Sequence, residues 1–296
     1  MGGDSATWTP ALPPGRTIEL PGRGRTFVRE LAGPPGAPTL LLLHGWTASA
    51  DLNWFRCYSS LGRSYRVVAL DHRGHGRGIR TRRAFRLRDC ADDAALLIEQ
   101  LGTGPVIAVG YSMGGPVASL LWRRHPHLVR GLVLCATART FAARPQERVS
   151  FAALGGLALA ARAVPEPMRR RLAQRFIGTR TDDRSIESWV VGEMHRNDWK
   201  AVLEAGTALG RYDAREWIGE VDVPAAVVVT TRDGVVAPAR QEALARSIPG
   251  ASVFEVPGDH TVCVTNPGRF LPALHAALRA VAVGSGTPPA DRPAFA

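Results

Sequence analysis

Five residues constrain this chain more than any others: Gly110-Tyr111-Ser112-Met113-Gly114, a G-x-S-x-G. They follow the apolar run Val106–Val109 and lead into a helix-like stretch, Met113–His125. A serine between the end of a strand and the start of a helix occupies a very sharp turn, which presents its side chain clear of the sheet and strains its backbone. Small residues two before and two after are required because the turn brings those positions close together. Pro116 suits the first helical turn, where a backbone N–H would have no partner within the helix. In a chain with 31 glycines the pentapeptide alone is a common accident. The strand before it and the helix after it make it informative.

The rest of the chain repeats that alternation. Strand-like runs are Thr26–Glu30, Thr39–Leu43, Arg66–Leu70, Val106–Val109, Gly131–Leu134, Ala226–Thr230 and Ser252–Val256. The middle ones are continuously apolar, as strands buried on both faces are. Helix-like stretches include Asp89–Leu101, Met113–His125, Pro238–Ser247 and Arg269–Val283. The pattern predicts an α/β fold, a mostly parallel sheet with helices on both faces. One interval breaks it. Roughly Thr140 to Trp217 holds no obvious strand and is too long for a plain loop, so it is read as a helical insertion with an apolar Phe151–Ala163 segment, Pro165, Pro167 and three tryptophans, Trp189, Trp199 and Trp217. Ordinary packing on the sheet accounts for most of these residues; the functional reading is a lid over a pocket. The expected organisation is a discontinuous core, 1–139 and 218–283, a helical cap, 140–217, and a Pro/Gly-rich tail, 284–296, that frays.

A serine is a weak nucleophile until a base takes its proton, and the base needs an acid to orient it. Of the eight histidines, His260 is best situated, in the loop Pro257-Gly258-Asp259-His260 just after the run Ser252–Val256. His125 and His127 lie at the far end of the helix after Ser112, His275 inside the last helix and His195 in the insertion. Asp233 follows the run Ala226–Thr230 and is the candidate acid; Asp259 is weaker, because adjacent side chains rarely face one another. The order Ser112…Asp233…His260 differs from those of the chymotrypsin and subtilisin types and matches that of a third hydrolase type. Donors for an oxyanion are assigned to the backbone N–H groups of Trp46, in His44-Gly45-Trp46 after Leu40–Leu43, and of Met113. His44, His75 and Asp71 are read as loop stabilisers.

With these residues in place the chain resembles the α/β-hydrolase superfamily over roughly Phe27 to Ala280. Asp71-His72-Arg73-Gly74-His75-Gly76, after the third apolar run, is similar to a family sequence as well. The resemblance implies the α/β-hydrolase fold with an eight-stranded, mostly parallel sheet, a helical cap after the sixth strand, and hydrolysis through an acyl-serine. Three departures stand out: Arg77-Gly78 where many relatives have Ser or Asp, Asp259 where many have glycine, and the proline after the acid one place late, at Pro238. Carboxylic ester cleavage is the first expectation. Perhydrolase or haloperoxidase chemistry, a thioesterase and a C–C bond hydrolase are the enzymic alternatives, and a ligand receptor on the same fold is the non-catalytic one. Epoxide hydrolases and haloalkane dehalogenases are disfavoured, since they would need an aspartate in place of Ser112.

Composition removes other classes. With 45% hydrophobic and 21% charged residues among 296, the chain can bury a sizeable core, and no apolar run approaches the roughly 18 residues of a membrane span. The start, MGGDSATWTPALPPG, lacks the basic and apolar parts of a secretory signal, and Cys57, Cys90, Cys135 and Cys263 form no C-x-x-C, so a reducing cytoplasm is expected. The net charge of +11 is almost wholly arginine, clustered at Arg77–Arg88 and at Arg169, Arg170, Arg171 and Arg175. A solvated surface is the plainer explanation; attraction to an anionic partner is the sharper one. No nucleic-acid motif accompanies the charge, and no metal spacing or nucleotide fingerprint occurs, so no nucleic acid, metal or cofactor is expected. The partner expected is a small, partly apolar acyl substrate.

Overall fold

The computed structural model describes residues 9–160 and 184–284. The eight strands are β1 (Gly15–Leu20), β2 (Gly24–Leu31), β3 (Thr39–Leu43), β4 (Arg66–Leu70), β5 (Val106–Tyr111), β6 (Val129–Cys135), β7 (Ala225–Thr230) and β8 (Ser252–Val256). They form one sheet in the order β1-β2-β4-β3-β5-β6-β7-β8. β1 and β2 make a hairpin, β2 runs antiparallel to β4, and every later pairing is parallel. This is the α/β-hydrolase fold. Its helices, among the described residues, are α1 (Ala50–Trp54), α2 (Tyr58–Leu61), α3 (Leu87–Leu101), α4 (Gly114–Arg124), α5 (Pro145–Ala160), α6 (Arg184–His195), α7 (Trp199–Arg211), α8 (Pro238–Ser247), α9 (Val262–Thr265) and α10 (Pro267–Gly284).

The central strands explain themselves. Side chains alternate across a strand, so Leu41 and Leu43 enter the core beneath α3 and α4, while Leu40 and Leu42 enter the core shared with α1, α2 and α10. Each fully buried leucine stabilises by about 1.5–3 kcal/mol, which a strand with one wet face could not collect from all four. β1 is the strand absent from the sequence reading. Only Ile18 and Leu20 of it are buried, and its other four residues, two of them charged, face solvent at the sheet's edge. The hairpin turn makes it a strand: Arg23 N–H donates to Leu20 C=O at 2.9 Å, with Gly22 at φ 70°.

Between β6 and β7 the described chain is helical. It leaves and rejoins the sheet at one point, where Thr140 bridges Asp213 and Ala214 N–H donates to Arg139 C=O at 2.8 Å. α5 packs along α7, and α6 reaches α1 through Trp189, whose ring lies 4.9 Å from that of Phe55. Ala161–Ala163, Pro165, Pro167, the cluster Arg169–Arg175 and the tail from Ser285 lie outside the described residues.

The arginine-rich segment after β4 is only partly a solvated face. Arg77 turns inward, its guanidinium 2.5 Å from Asp51 Oδ2 and 3.5 Å above the Phe27 ring, and Arg80 donates to the carbonyls of Gly76, Gly78 and Arg196. Arg80 is exposed in spite of these bonds, as are Arg82, Arg83, Arg86 and Arg88. No helix among the described residues is long and apolar enough to cross a membrane.

Candidate active site

Ser112 sits where β5 ends and α4 begins, at φ 52°, in the left-handed region that non-glycine residues rarely occupy. Three hydrogen bonds keep it there. Its N–H donates to Cys135 C=O at 2.9 Å, and its own C=O accepts from Thr137 Oγ1 at 2.8 Å and from Gly115 N–H at 2.9 Å. The flanking glycines are steric necessities: a Cβ on Gly110 would strike the Gly114 carbonyl, and one on Gly114 the Leu43 carbonyl. The sharp turn therefore depends on the motif for its tightness and on β6 for its anchoring.

His260 and Asp233 arrive from the loops after β8 and β7. His260 Nε2 lies 3.0 Å from Ser112 Oγ, and Nδ1 lies 2.7 Å from Asp233 Oδ2. An ionised carboxylate only accepts, so Nδ1 carries the proton and Nε2 is free to accept from the serine. Tyr111 Oη donates to the His260 carbonyl at 2.9 Å, which fixes the histidine loop to the end of β5. Asp233 is fully engaged: Oδ1 accepts from Val235 and Val236 N–H, both at 2.8 Å, and Oδ2 also accepts from Thr230 Oγ1 at 2.7 Å and Gln241 Nε2 at 3.3 Å. Burial alone would push this carboxyl up. The hydrogen bond and charge of His260, with Thr230 and the Val236 N–H, more than offset it and hold Asp233 below the usual carboxylate range.

Trp46 follows Gly45, where an added Cβ would stand 3.4 Å from the Ser112 Cβ, and Met113 follows the serine in the turn itself. Among the described residues, neither backbone N–H donates to a protein acceptor. The Trp46 indole does: Nε1 donates to Val202 C=O of α7 at 2.7 Å, and a methyl added at Gly206 would come within 2.7 Å of the indole and 2.5 Å of Leu154. Trp46, Leu154 and α7 thus converge in an apolar wall. A cleft of about 430 Å³ lies between α5 and α7, lined by Phe151, Thr207 and Tyr212 with Arg148 and Arg211; none of Ser112, His260 and Asp233 lines it.

The other candidates have structural partners. Asp71 accepts from Ala50 and Arg77 N–H, each at 2.7 Å, and Arg77, a departure from the family pattern, lies beside both Asp71 and Asp51. Asp259 accepts from Thr261 N–H and Oγ1 at 2.8 Å, closing its own turn. His44 Nδ1 donates to Gly45 C=O at 2.8 Å while Nε2 accepts from His72 N–H at 3.0 Å, and His75 Nδ1 donates to Arg73 C=O at 3.1 Å. Thr137, Thr230 and Gln241, which support the serine and the acid, escaped the sequence reading. Nothing about a polar residue inside a strand end or a helix marks its partner.

The family described as alpha/beta hydrolase fold matches residues 38–267, and this chain belongs to it. A bifunctional esterase/perhydrolase of Acinetobacter calcoaceticus is 36% identical over 96 residues, which is 32% of this chain and 34% of that one. A pimeloyl-[acyl-carrier protein] methyl ester esterase of Sodalis glossinidius is 29% identical over 257 residues, 81% of this chain and 93% of the relative. Among solved structures, an esterase from Exiguobacterium antarcticum superposes with a TM-score of 0.76 at 19% identity, over 90% of this chain and all of that one, a likeness of fold.

Proposed function

We propose that this protein is a serine hydrolase that cleaves a carboxylic ester through an acyl-serine. The observation carrying the reading is the unbroken chain from Asp233 through His260 to Ser112 Oγ, at 2.7 and 3.0 Å, on a strained turn. His260 Nε2 takes the serine proton as Oγ attacks the ester carbonyl. The negative charge that develops on the carbonyl oxygen is met by the Trp46 and Met113 N–H groups, whose lack of a protein acceptor suits that role. His260 returns the proton to the departing alkoxide, and water repeats the sequence on the acyl-serine to release the acid. Asp233, kept ionised, orients the imidazole and stabilises its charged form.

Relatives named as esterases support the reaction class. The wall of Trp46, Leu154 and α7 favours a partly apolar acyl chain, with residues 140–217 acting as the cap over it. The four cysteines are free and buried, which suits a reducing cytoplasm. One relative's second named activity supports a further use of the same intermediate: peroxide in place of water would release a peracid from the acyl-serine.

The test is hydrolysis of p-nitrophenyl esters from short to long acyl chains by the wild type and Ser112→Ala. The wild type should turn over, and the variant should lose kcat by as much as about a millionfold, as removal of such a serine does. Equal rates from the two proteins would sink the reading.

A further inference from the structure

The short segment joining α6 to α7 is stitched to two loops of the sheet. Asn197 is only 6% exposed, and its amide spans both loops. Oδ1 accepts from Gly76 N–H at 2.7 Å, and Nδ2 donates to Thr47 C=O at 2.8 Å. One partner is a donor and the other an acceptor, so a single orientation of the amide satisfies both. Neighbouring residues extend the seam: Ser49 Oγ donates to Glu193 Oε2 at 2.8 Å, Asp198 N–H to Gly74 C=O at 2.8 Å, and the Trp46 indole to Val202 C=O.

What Asn197 grips is unusual. Thr47 stands at φ 66°, a conformation that a β-branched residue adopts only when its surroundings impose it. It is the third residue of the turn Gly45–Ala48, closed by Ala48 N–H on Gly45 C=O at 3.4 Å. The same turn carries the Gly45–Trp46 peptide, whose N–H has no protein acceptor among the described residues. Gly45 itself is fixed at both ends, its N–H by Asn53 Oδ1 at 2.9 Å and its C=O by His44 Nδ1 at 2.8 Å. The far half of the turn, Thr47, takes its side-chain hydrogen bond from Asn197.

We propose that Asn197 is a positioning residue that holds the Gly45–Ala48 turn in its strained form and so aims the Trp46 N–H at the reacting carbonyl oxygen. The inference rests on the acyl-serine reading above and adds to it: the α6–α7 junction belongs to the catalytic apparatus and does not lift away as a lid. An oxyanion donor acts on charge that appears only as the bond forms, so a misaimed donor lowers kcat and leaves substrate binding alone.

The experiment uses the full chain, with kcat and KM for p-nitrophenyl butyrate, thermal midpoints, and the inhibition constant of a butyl boronic acid, which forms a tetrahedral adduct on the serine. The proteins are the wild type, Ser112→Ala, Asn197→Ala and Asn197→Asp. Losing an oxyanion donor outright lowers kcat about 10²–10³-fold, so misaiming one should lower it about 10- to 100-fold, with KM within about twofold. Boronate affinity should fall with kcat. Asn197→Asp is the sharper variant and keeps the size that folding needs. It still accepts from Gly76 but turns a carboxylate oxygen on the Thr47 carbonyl, so it should lose at least as much kcat as Asn197→Ala. Wild-type kcat and boronate affinity in Asn197→Asp would overturn the proposal, as would a variant that loses only thermal stability. A wild type no faster than Ser112→Ala refutes the acyl-serine reading itself, and the positioning role falls with it.

Discussion

Mild acid should destabilise this protein, because three of its histidines are buried together without charge. His44, His72 and His75 are buried side by side, with the His44 ring 4.3 Å from that of His72 and 5.5 Å from that of His75. Burial pushes His44 down to about 4 and His75 to about 3, and holds His72 well below the ordinary imidazole range, with the neighbouring rings adding to the effect on His72 and His75. Protonating His44 would also remove the acceptor for the His72 N–H. A base depressed in the folded state contributes stability that is fully present above its unfolded value, near 6.5, and lost as pH falls toward its folded value. Between pH 7 and pH 5, His44 and His75 should each withdraw about 2 kcal/mol, with the loss steepest near pH 5.

That loss is large against a typical total of about 5–15 kcal/mol. Asp71 works in the opposite sense. Burial keeps its carboxyl above the usual range in spite of the Arg77 and Ala50 N–H groups, so the native state gains a proton there more readily than the unfolded chain. Guanidinium unfolding followed by tryptophan fluorescence at pH 7, 6 and 5 measures the balance, and the midpoint should fall steeply over the last unit. His72→Leu sharpens the test. Neither ring nitrogen of His72 meets a partner among the described residues, so an apolar replacement should leave stability at pH 7 within about 1.5 kcal/mol and flatten the acid slope. An unfolding midpoint unchanged from pH 7 to pH 5 would refute the reasoning, because three histidines held neutral cannot escape the linkage.

Two further outcomes follow from the site. Asp233→Asn should keep the fold but invert the hydrogen-bonding sense toward His260 Nδ1 and lower kcat by about 10⁴-fold, with KM little changed; an activity near wild type in steady-state ester hydrolysis would remove Asp233 from the mechanism. Gly114→Ala would drive a Cβ into the Leu43 carbonyl on a rigid central strand, so soluble, folded protein should be scarce, and a wild-type thermal midpoint would contradict the packing described for the turn.

How much of this was legible beforehand depended on the distance over which each feature is determined. The elbow is local: a strand, two glycines and a helix start fall within a dozen residues, so its geometry could be read directly. Asp233 and His260 stood out because each follows a strand-like run, Ala226–Thr230 and Ser252–Val256, and strand ends in a parallel sheet share one edge. β1 escaped because an edge strand has little to bury, and only its pairing with β2 makes it one. The arginines after β4 read alike as charge, yet Arg77 turns inward onto Asp51, and Arg80, though exposed, is tied to the carbonyls of Gly76 and Gly78. Asn197 was the least legible. It precedes the N-cap residue Asp198, an unremarkable place for an asparagine, and its two partners are 121 and 150 residues away. The residues a sequence hides best here are those that join the insertion to the sheet, since an amide can bridge two loops only once the fold has brought them together. If the acyl-serine reading holds, the insertion therefore does more than close a pocket: through Asn197 and the Trp46 indole it fixes the geometry of a turn that the sheet alone leaves strained.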